Sequence, residues 1–256
     1  MGTLLLRLVG PLQAWGSESR FTERKTGHEP TKSGVVGLLA SALGRRRTDP
    51  VDDIASFPMA VRIDCPGSYE VDFQTAHMRK FDAGRQAWVF ADSLPLSRRY
   101  YLSDARFVVG VQMPDDVLAS FAEALEHPVF PLYLGRRSCP PSEKILIGAC
   151  EGVAMAQAVA NHPWEVSEAL LRRKRYSFVP REDVFACGEV PLTLIRDVLP
   201  TDGDELVRQT KRDVPLSFSP DKREYGWRTV VHDKVIVTNP FVRPQGQPAH
   251  DPFAAL

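Results

Sequence analysis

Cysteine is scarce in this 256-residue chain, and its four residues (Cys65, Cys139, Cys150 and Cys187) stand far apart. No two have the CxxC spacing, and no histidine lies at a zinc-site interval from one of them. A disulfide scaffold and a metal centre are therefore not expected, and the thiols read as buried or free groups of a reducing compartment. An excess of one charge is lacking too: 32 Lys and Arg balance 32 Asp and Glu. The protein as a whole is not a basic counterion for nucleic acid. Long apolar runs are missing, since the longest helical one, 34–44, is about half of the roughly 20 residues a bilayer demands. No basic region precedes the N-terminal apolar run, Arg7 breaks it, and Leu6 stands where myristoylation at Gly2 needs Ser or Thr. A soluble, cytoplasmic protein with no membrane partner is expected. Internal repeats and low-complexity tracts are absent as well.

What is present points to a folded domain. Apolar residues make up 43% of the chain, with 13 Phe among them, which excludes a mainly disordered protein. The length allows one large or two small domains burying roughly three quarters of the unfolded surface. Charge is unevenly placed. Residues 1–47 hold eight Lys and Arg against three Asp and Glu, a local +5. A basic N-terminal face on a neutral chain suits a local anionic partner, although a solvated face has the same composition.

The apolar patterning predicts strands at 3–9, 60–65, 69–76, 106–112 and 129–134. It predicts helices from Thr31 or Ser33 to Gly44, where Val35, Leu38, Leu39, Ala42 and Leu43 share a face, and at 115–126, with Leu118, Phe121, Ala122 and Leu125 inward. Residues 10–30 read as a loop. Gly34, Gly37 and Ser41 leave one side of the first helix small, so a close neighbour is expected there. Residues 77–104 read as an insertion with a turn at Asp82-Ala83-Gly84. The order β-α-β-β-insertion-β-α-β is an α+β, ferredoxin-like or RRM-like pattern. After about residue 145 the signals weaken: strands at 144–149, 190–195 and 230–237, a short helix at 165–174, loop at 200–224, and an extended tail from Pro240 with four prolines.

Several segments have the residue types for binding an anion. PTKSG at 30–34 is not a phosphate-binding Walker loop, because Thr31 and Thr26 stand where that loop requires Gly. Lys32 and Ser33 do sit at an expected helix N-terminus, which favours an anion; capping alone explains Thr31 and Ser33 equally well. Trp15, between Gly10 and Gly16 and followed by Arg20 and Arg24, is either a base-stacking platform or a loop anchor. Gln13 beside it either reads a base edge or bonds the loop. The insertion mixes His77, Arg79, Lys80, Arg85, Arg98 and Arg99 with Phe81, Trp88, Phe90, Tyr100 and Tyr101. That mixture suits a single strand of nucleic acid, and equally a protein-binding arm. Arg136, Arg137 and Ser138 follow an expected strand and could grip phosphate. The basic run at 172–175 ends a helix, where the helix dipole explains part of it. A metal-independent ribonuclease would need His77 with Lys80, Tyr100 or Tyr101. The motifs of metal nucleases and of GxSxG hydrolases are absent.

Taken together, GPLQAWG at 10–16, SRF at 19–21 and PTKSGVVGLLASALGR at 30–45 resemble the N-terminal signature of the CasD-type subunits of type I-E CRISPR Cascade, within the RAMP superfamily. YLSDA at 101–105 and PLYLGRRSCPPS at 131–142 are similar to further segments of that family. The resemblance covers the first 145 residues well and the rest loosely. It implies an RRM-like domain at 1–144 with a protruding thumb hairpin at about 77–104, and a smaller β-rich region at 145–256. It implies a ribonucleoprotein subunit of antiviral defence that binds the 5′ handle of mature CRISPR RNA and caps the complex. Its neighbours would be the CasC backbone subunit and the large CasA subunit, with target DNA held by the assembly, no cofactor and no catalysis. The RNA contacts it implies are Gln13, Trp15, Arg20, Arg24, Lys32, Ser33, Arg136, Arg137 and Ser138, with Arg79 and Trp88 on the thumb. A relative in type I-C systems is an endoribonuclease that cuts the repeat RNA, and that activity is the alternative function; a protein-binding adaptor is a third. There is no RNP1-type run of aromatics, so binding is expected to avoid the usual RRM sheet face.

Overall fold

The structure is a computed structural model that describes residues 1–16, 19–20, 22–93, 96–172, 185–203 and 205–242, without the side chains of residues 19, 20 and 172. The chain opens with β1 (Gly2–Val9), in which only Arg7 is not buried. Two-residue strands β2 (Leu12–Gln13), β3 (Ser19–Arg20) and β4 (Glu23–Arg24) punctuate the expected loop. Helix α1 (Lys32–Ala42) starts where Thr31 Oγ1 accepts the Gly34 amide at 3.2 Å. It ends near Gly44, whose φ of +77° only glycine adopts readily. Then follow α2 (Asp52–Ser56), β5 (Met59–Cys65), β6 (Ser68–Gln74), β7 (His77–Asp82), β8 (Ala87–Ser93), β9 (Ser97–Ser103), β10 (Arg106–Met113) and α3 (Asp115–Glu126). The last part holds β11 (Leu146–Cys150), α4 (Met155–Asn161), α5 (Glu168–Arg172), β12 (Glu189–Asp197), β13 (Arg208–Ser217) and β14 (Glu224–Thr238).

A seven-stranded antiparallel sheet in the order β11-β1-β10-β5-β12-β14-β13 is the frame. The chain is thus a sheet-rich α+β protein whose C-terminal strands extend the same sheet. At β1, β10 and β5 both faces of the sheet are buried, which explains the nearly unbroken apolar run of β1. Leu4, Leu6, Leu8, Phe107, Val109 and Val111 pack under α1, α2 and α3. Leu5, Ala60, Val108 and Cys65 pack under α4 and under Trp164, Val166, Leu170 and Leu171. Each of the Leu, Val and Phe side chains contributes on the order of 1.5–3 kcal/mol by leaving water. A second sheet runs β2-β9-β4-β3 with β6 also on β9, and β7 pairs with β8 as a separate hairpin.

Three expectations are corrected. Residues 129–134 form no strand: Pro128 and Pro131 remove ladder donors, and the Val129 and Phe130 amides donate to the Ala42 and Ser41 carbonyls at 3.0 and 3.2 Å. The sheet edge beside β1 is filled by β11 instead. The strand at 69–76 joins β9 and not the large sheet, so the insertion narrows to the β7–β8 hairpin on a β6–β9 base. The polar stretch at 208–217, expected as loop, is the edge strand β13. Among the described residues no helix is long and apolar enough to cross a membrane. Residues 173–175 of the basic run and the tail from 243 lie outside the described residues.

Candidate nucleic-acid interface

The first loop is built around its own buried side chains. Gln13 and Trp15 are 0% and 1% exposed. The Trp15 indole Nε1–H donates to Gln13 Oε1 at 3.0 Å, and Gln13 Nε2 donates to the Leu8 and Ala105 carbonyls at 3.1 and 2.7 Å. The indole lies against α1 where a Cβ on Gly34 would meet its ring at 2.8 Å. This is the close neighbour that the small side of α1 demands. Both side chains are spent inside the protein, where they anchor the loop. The Trp15 carbonyl accepts the Gly27 amide and its amide donates to Thr26 Oγ1, closing the loop.

Lys32 and the helix start are likewise engaged within the protein. Lys32 is buried, and its Nζ lies 3.0 Å from Asp197 Oδ2. Its amide donates to Asp213 Oδ2 at 2.8 Å, so a carboxylate of the protein already occupies the anion position of α1. Arg228 bridges both acids, with Nη1 at 2.5 Å from Asp197 Oδ1 and Nε at 2.6 Å from Asp213 Oδ1. Burial pushes the Asp213 carboxyl up, but the bonded Arg228 guanidinium outweighs it and holds the acid below the usual carboxylate range. The same two acids outweigh desolvation of Arg228 and raise its pKa. Ser33, half-buried, shares a 3.3 Å hydrogen bond with Thr31. Asp197, Asp213 and Arg228 escaped sequence reasoning. No local signal marks them: Asp197 is even out of phase with the buried Val190, Leu192 and Leu194 of β12 and shares its face with Ile195.

A second group surrounds β9. Leu134 N donates to Cys139 O at 2.8 Å and Ala14 N to Leu134 O at 3.1 Å, fixing the turn that carries Arg136 to Ser138. Gly135 sits at φ +89°, and a Cβ there would fall 1.8 Å from the Ala14 carbonyl oxygen. Arg136 Nη1 donates to Tyr100 O at 3.1 Å, and Nη2 to Arg24 O and Lys25 O at 2.7 and 3.3 Å. Its guanidinium also lies over the Tyr101 ring, 4.9 Å from the centroid. Arg137 and Ser138 are exposed, and Ser138 Oγ is 3.4 Å from the Tyr101 hydroxyl. Arg24 is exposed on β4, which runs parallel to β9 and sets Arg24 opposite Arg99. Arg20 pairs with Glu23, its side chain outside the described residues. On the far edge of β9, β6 exposes Tyr69, Val71 and Phe73, the last beneath Arg98 at 5.7 Å. These three also went unread in the sequence, where β6 looked like a core strand.

The hairpin presents the aromatic residues expected of it. Phe81 and Trp88 are cross-strand partners in edge-to-face contact at 5.7 Å, and Arg79 pairs with Phe90 on the same face. Trp88 and Phe90 are 61% and 60% exposed. Arg79 Nη2 donates to the Trp88 carbonyl at 2.9 Å. His77 contacts Ser93 Oγ at 3.3 Å and the Phe90 ring at 5.4 Å. Tyr101 is buried on β9, and Tyr100 pairs with Val71, well before the end of β6 that leads to His77. The structure therefore keeps both tyrosines away from His77, and Lys80, three residues along β7, faces the other side of the hairpin. Among the described residues there is no group of three His, Cys, Asp or Glu able to hold a metal ion.

The sheet face that an RRM offers to RNA is covered by α4 and residues 164–171. A fully buried pair pins that cover. Arg62 binds Asp64 through Nε and Nη2, both at 2.7 Å, and donates to the Val159, His162 and Pro163 carbonyls. Beside it, burial pushes the Glu165 carboxyl up, but His162 and Arg7 together hold it at about 2.

Comparison with known proteins agrees with this geometry. The model of the CRISPR-associated Cas5 protein family matches residues 3–231. The Cascade subunit CasD of Escherichia coli K12 is 32% identical over 170 residues, 62% of this chain and 76% of that protein. A chain of a solved CRISPR RNA-guided surveillance complex superposes with a TM-score of 0.71 at 30% identity, covering 96% of this chain and 95% of its own. A crystal structure of a Cas protein gives a TM-score of 0.62 at 33% identity, covering 96% and 100%.

Proposed function

We propose, from the premise that this chain belongs to the Cas5 family of CRISPR-associated proteins, that it is the Cascade-type subunit that holds the 5′ handle of mature CRISPR RNA and caps the complex without cutting RNA. The observation that carries this reading is the convergence on β9. Strand β4 with Arg24 lies on one edge of it, β6 on the other, and the aromatic hairpin follows from its base. Phosphates meet Arg24, Arg137 and Arg79, whose charges release counterions on binding. Bases meet Trp88, which is worth about 1–3 kcal/mol per stacked base. Gln13, Trp15 and Lys32 act on RNA only through the loop and helix they hold.

The order β11-β1-β10-β5, with α1 and α3 on one face, supports a ferredoxin-like unit that extends the expected 1–144 domain to about residue 150. Its fourth strand is drawn from 146–150, and the remainder is a β-rich extension. The β7–β8 hairpin is the thumb in this reading. CasC and CasA are the proposed neighbours, and target DNA is read by pairing with the guide.

Replacing Arg24 and Arg137 together with Ala tests the reading. The full chain is titrated with repeat-derived RNA of its host's array, at 50 and 200 mM salt. The double variant loses at least about tenfold in affinity and flattens the salt dependence by roughly 0.7 per lost contact. Unchanged binding contradicts the reading, and salt-insensitive binding of a protein partner at this face favours an adaptor.

A further inference from the structure

We propose that Arg136 is a positioning residue, which sets the place of Arg24 and touches no RNA itself; this rests on the RNA-binding reading above. A guanidinium has five donors in a rigid plane. In Arg136 both terminal nitrogens are already committed to the carbonyls of Tyr100, Arg24 and Lys25, and the plane is stacked on Tyr101. Three of its five N–H groups are thus spent on the protein's own backbone, which fixes the fork against β4 and β9.

The segment it holds is weak alone. Strand β4 has two residues and pairs in parallel, Glu23 with Arg98 and Arg24 with Arg99. So short a parallel ladder, with two cations directly opposed, does not stand unaided. The pairing of β4 with the two-residue β3 and the Arg98 amide, which donates to Thr22 O at 2.8 Å, add ties, and Arg136 adds the side-chain clamp on the Arg24 and Lys25 carbonyls. Its own position is fixed from behind by the Cys139 amide, which donates to the Arg136 carbonyl at 2.9 Å, and by Gly135 pressed on Ala14. The device is geometric, so charge alone cannot replace it: a lysine keeps the cation but has no planar fork.

The test is a double-mutant cycle in the full-length chain. Arg24→Ala, Arg136→Lys and the double variant are titrated with repeat-derived RNA, and exchange of the Arg98 amide is followed without RNA. In the wild-type background Arg24→Ala loses about tenfold in affinity. In the Arg136→Lys background it loses less than about twofold, because Arg24 is no longer presented. The Arg98 amide exchanges at least about tenfold faster in Arg136→Lys. Independent losses overturn the proposal and make Arg136 a direct phosphate contact, and wild-type affinity with wild-type exchange in Arg136→Lys overturns it by showing that the fork holds nothing. Tyr101→Leu, which removes the ring beneath the guanidinium, gives the same coupling and serves if Arg136→Lys does not fold. If the unmodified chain binds no RNA, the RNA-binding reading fails, and wild-type exchange in Arg136→Lys still refutes the clamp.

Discussion

Replacing Lys32 with Met separates two readings of the PTKSG segment. The side chain is buried, and its ammonium lies 3.0 Å from Asp197. Removing one partner of a buried ion pair costs about 3–5 kcal/mol, because the other charge stays desolvated. Asp197 keeps the Arg228 guanidinium and the Met59 amide, so the lower end, about 3 kcal/mol, is expected. For a chain of this size that lowers Tm by roughly 6–12 °C. Thermal unfolding followed by circular dichroism at pH 7 measures it, with RNA titrations across salt beside it. The expected result is a large drop in Tm with the salt dependence of binding unchanged. A Tm within about 2 °C of wild type, with a salt slope smaller by about 0.7, would show that Lys32 meets phosphate and refute the buried-network account.

Other expectations follow from the same geometry. Trp15→Ala removes a buried ring and should cost about 3–5 kcal/mol in urea unfolding; wild-type stability with weakened RNA binding would restore it as a stacking platform. Trp88→Ala should leave stability within about 0.5 kcal/mol and weaken RNA binding by about tenfold or more, and unchanged affinity would remove the hairpin from the interface. Glu165 is held at about 2 against an ordinary 4.5. A depressed acid stabilises the fold above its unfolded pKa and loses that contribution as pH falls towards the folded value. Urea unfolding between pH 5 and pH 2 should therefore show up to about 3 kcal/mol of lost stability that Glu165→Gln removes from the profile; an identical profile in the variant would count against it.

The legible parts of the fold are those whose physics is local. Strands β1 and β10 and helices α1 and α3 announce themselves by apolar runs and periods, and their bounds differ little from expectation. The misread parts depend on distant partners. The apolar segment at 129–134 has the residue types of a strand, but its prolines leave the amides of Val129 and Phe130 to cap α1. Strand β13 looks like loop because an edge strand exposes much of its length. The candidate site divides in the same way. Arg24, Arg79, Trp88 and Arg137 are exposed, as the proposed contacts require. Lys32 cannot be told from a phosphate ligand until Asp197 and Asp213, far along the chain, are seen to face it. Gln13 and Trp15 lie in the GPLQAWG segment that carries the resemblance, and such a segment can arise from packing as readily as from contact.

The central claim is that this chain binds guide RNA and leaves it intact. The most direct measurement mixes the purified full-length protein with repeat-derived RNA in EDTA and runs a native gel beside a denaturing gel. The account predicts a shifted RNA of unchanged length, with the shift weakened by salt and by Arg24→Ala combined with Arg137→Ala. Specific cleavage that is lost in His77→Ala would contradict it and make the protein an endoribonuclease.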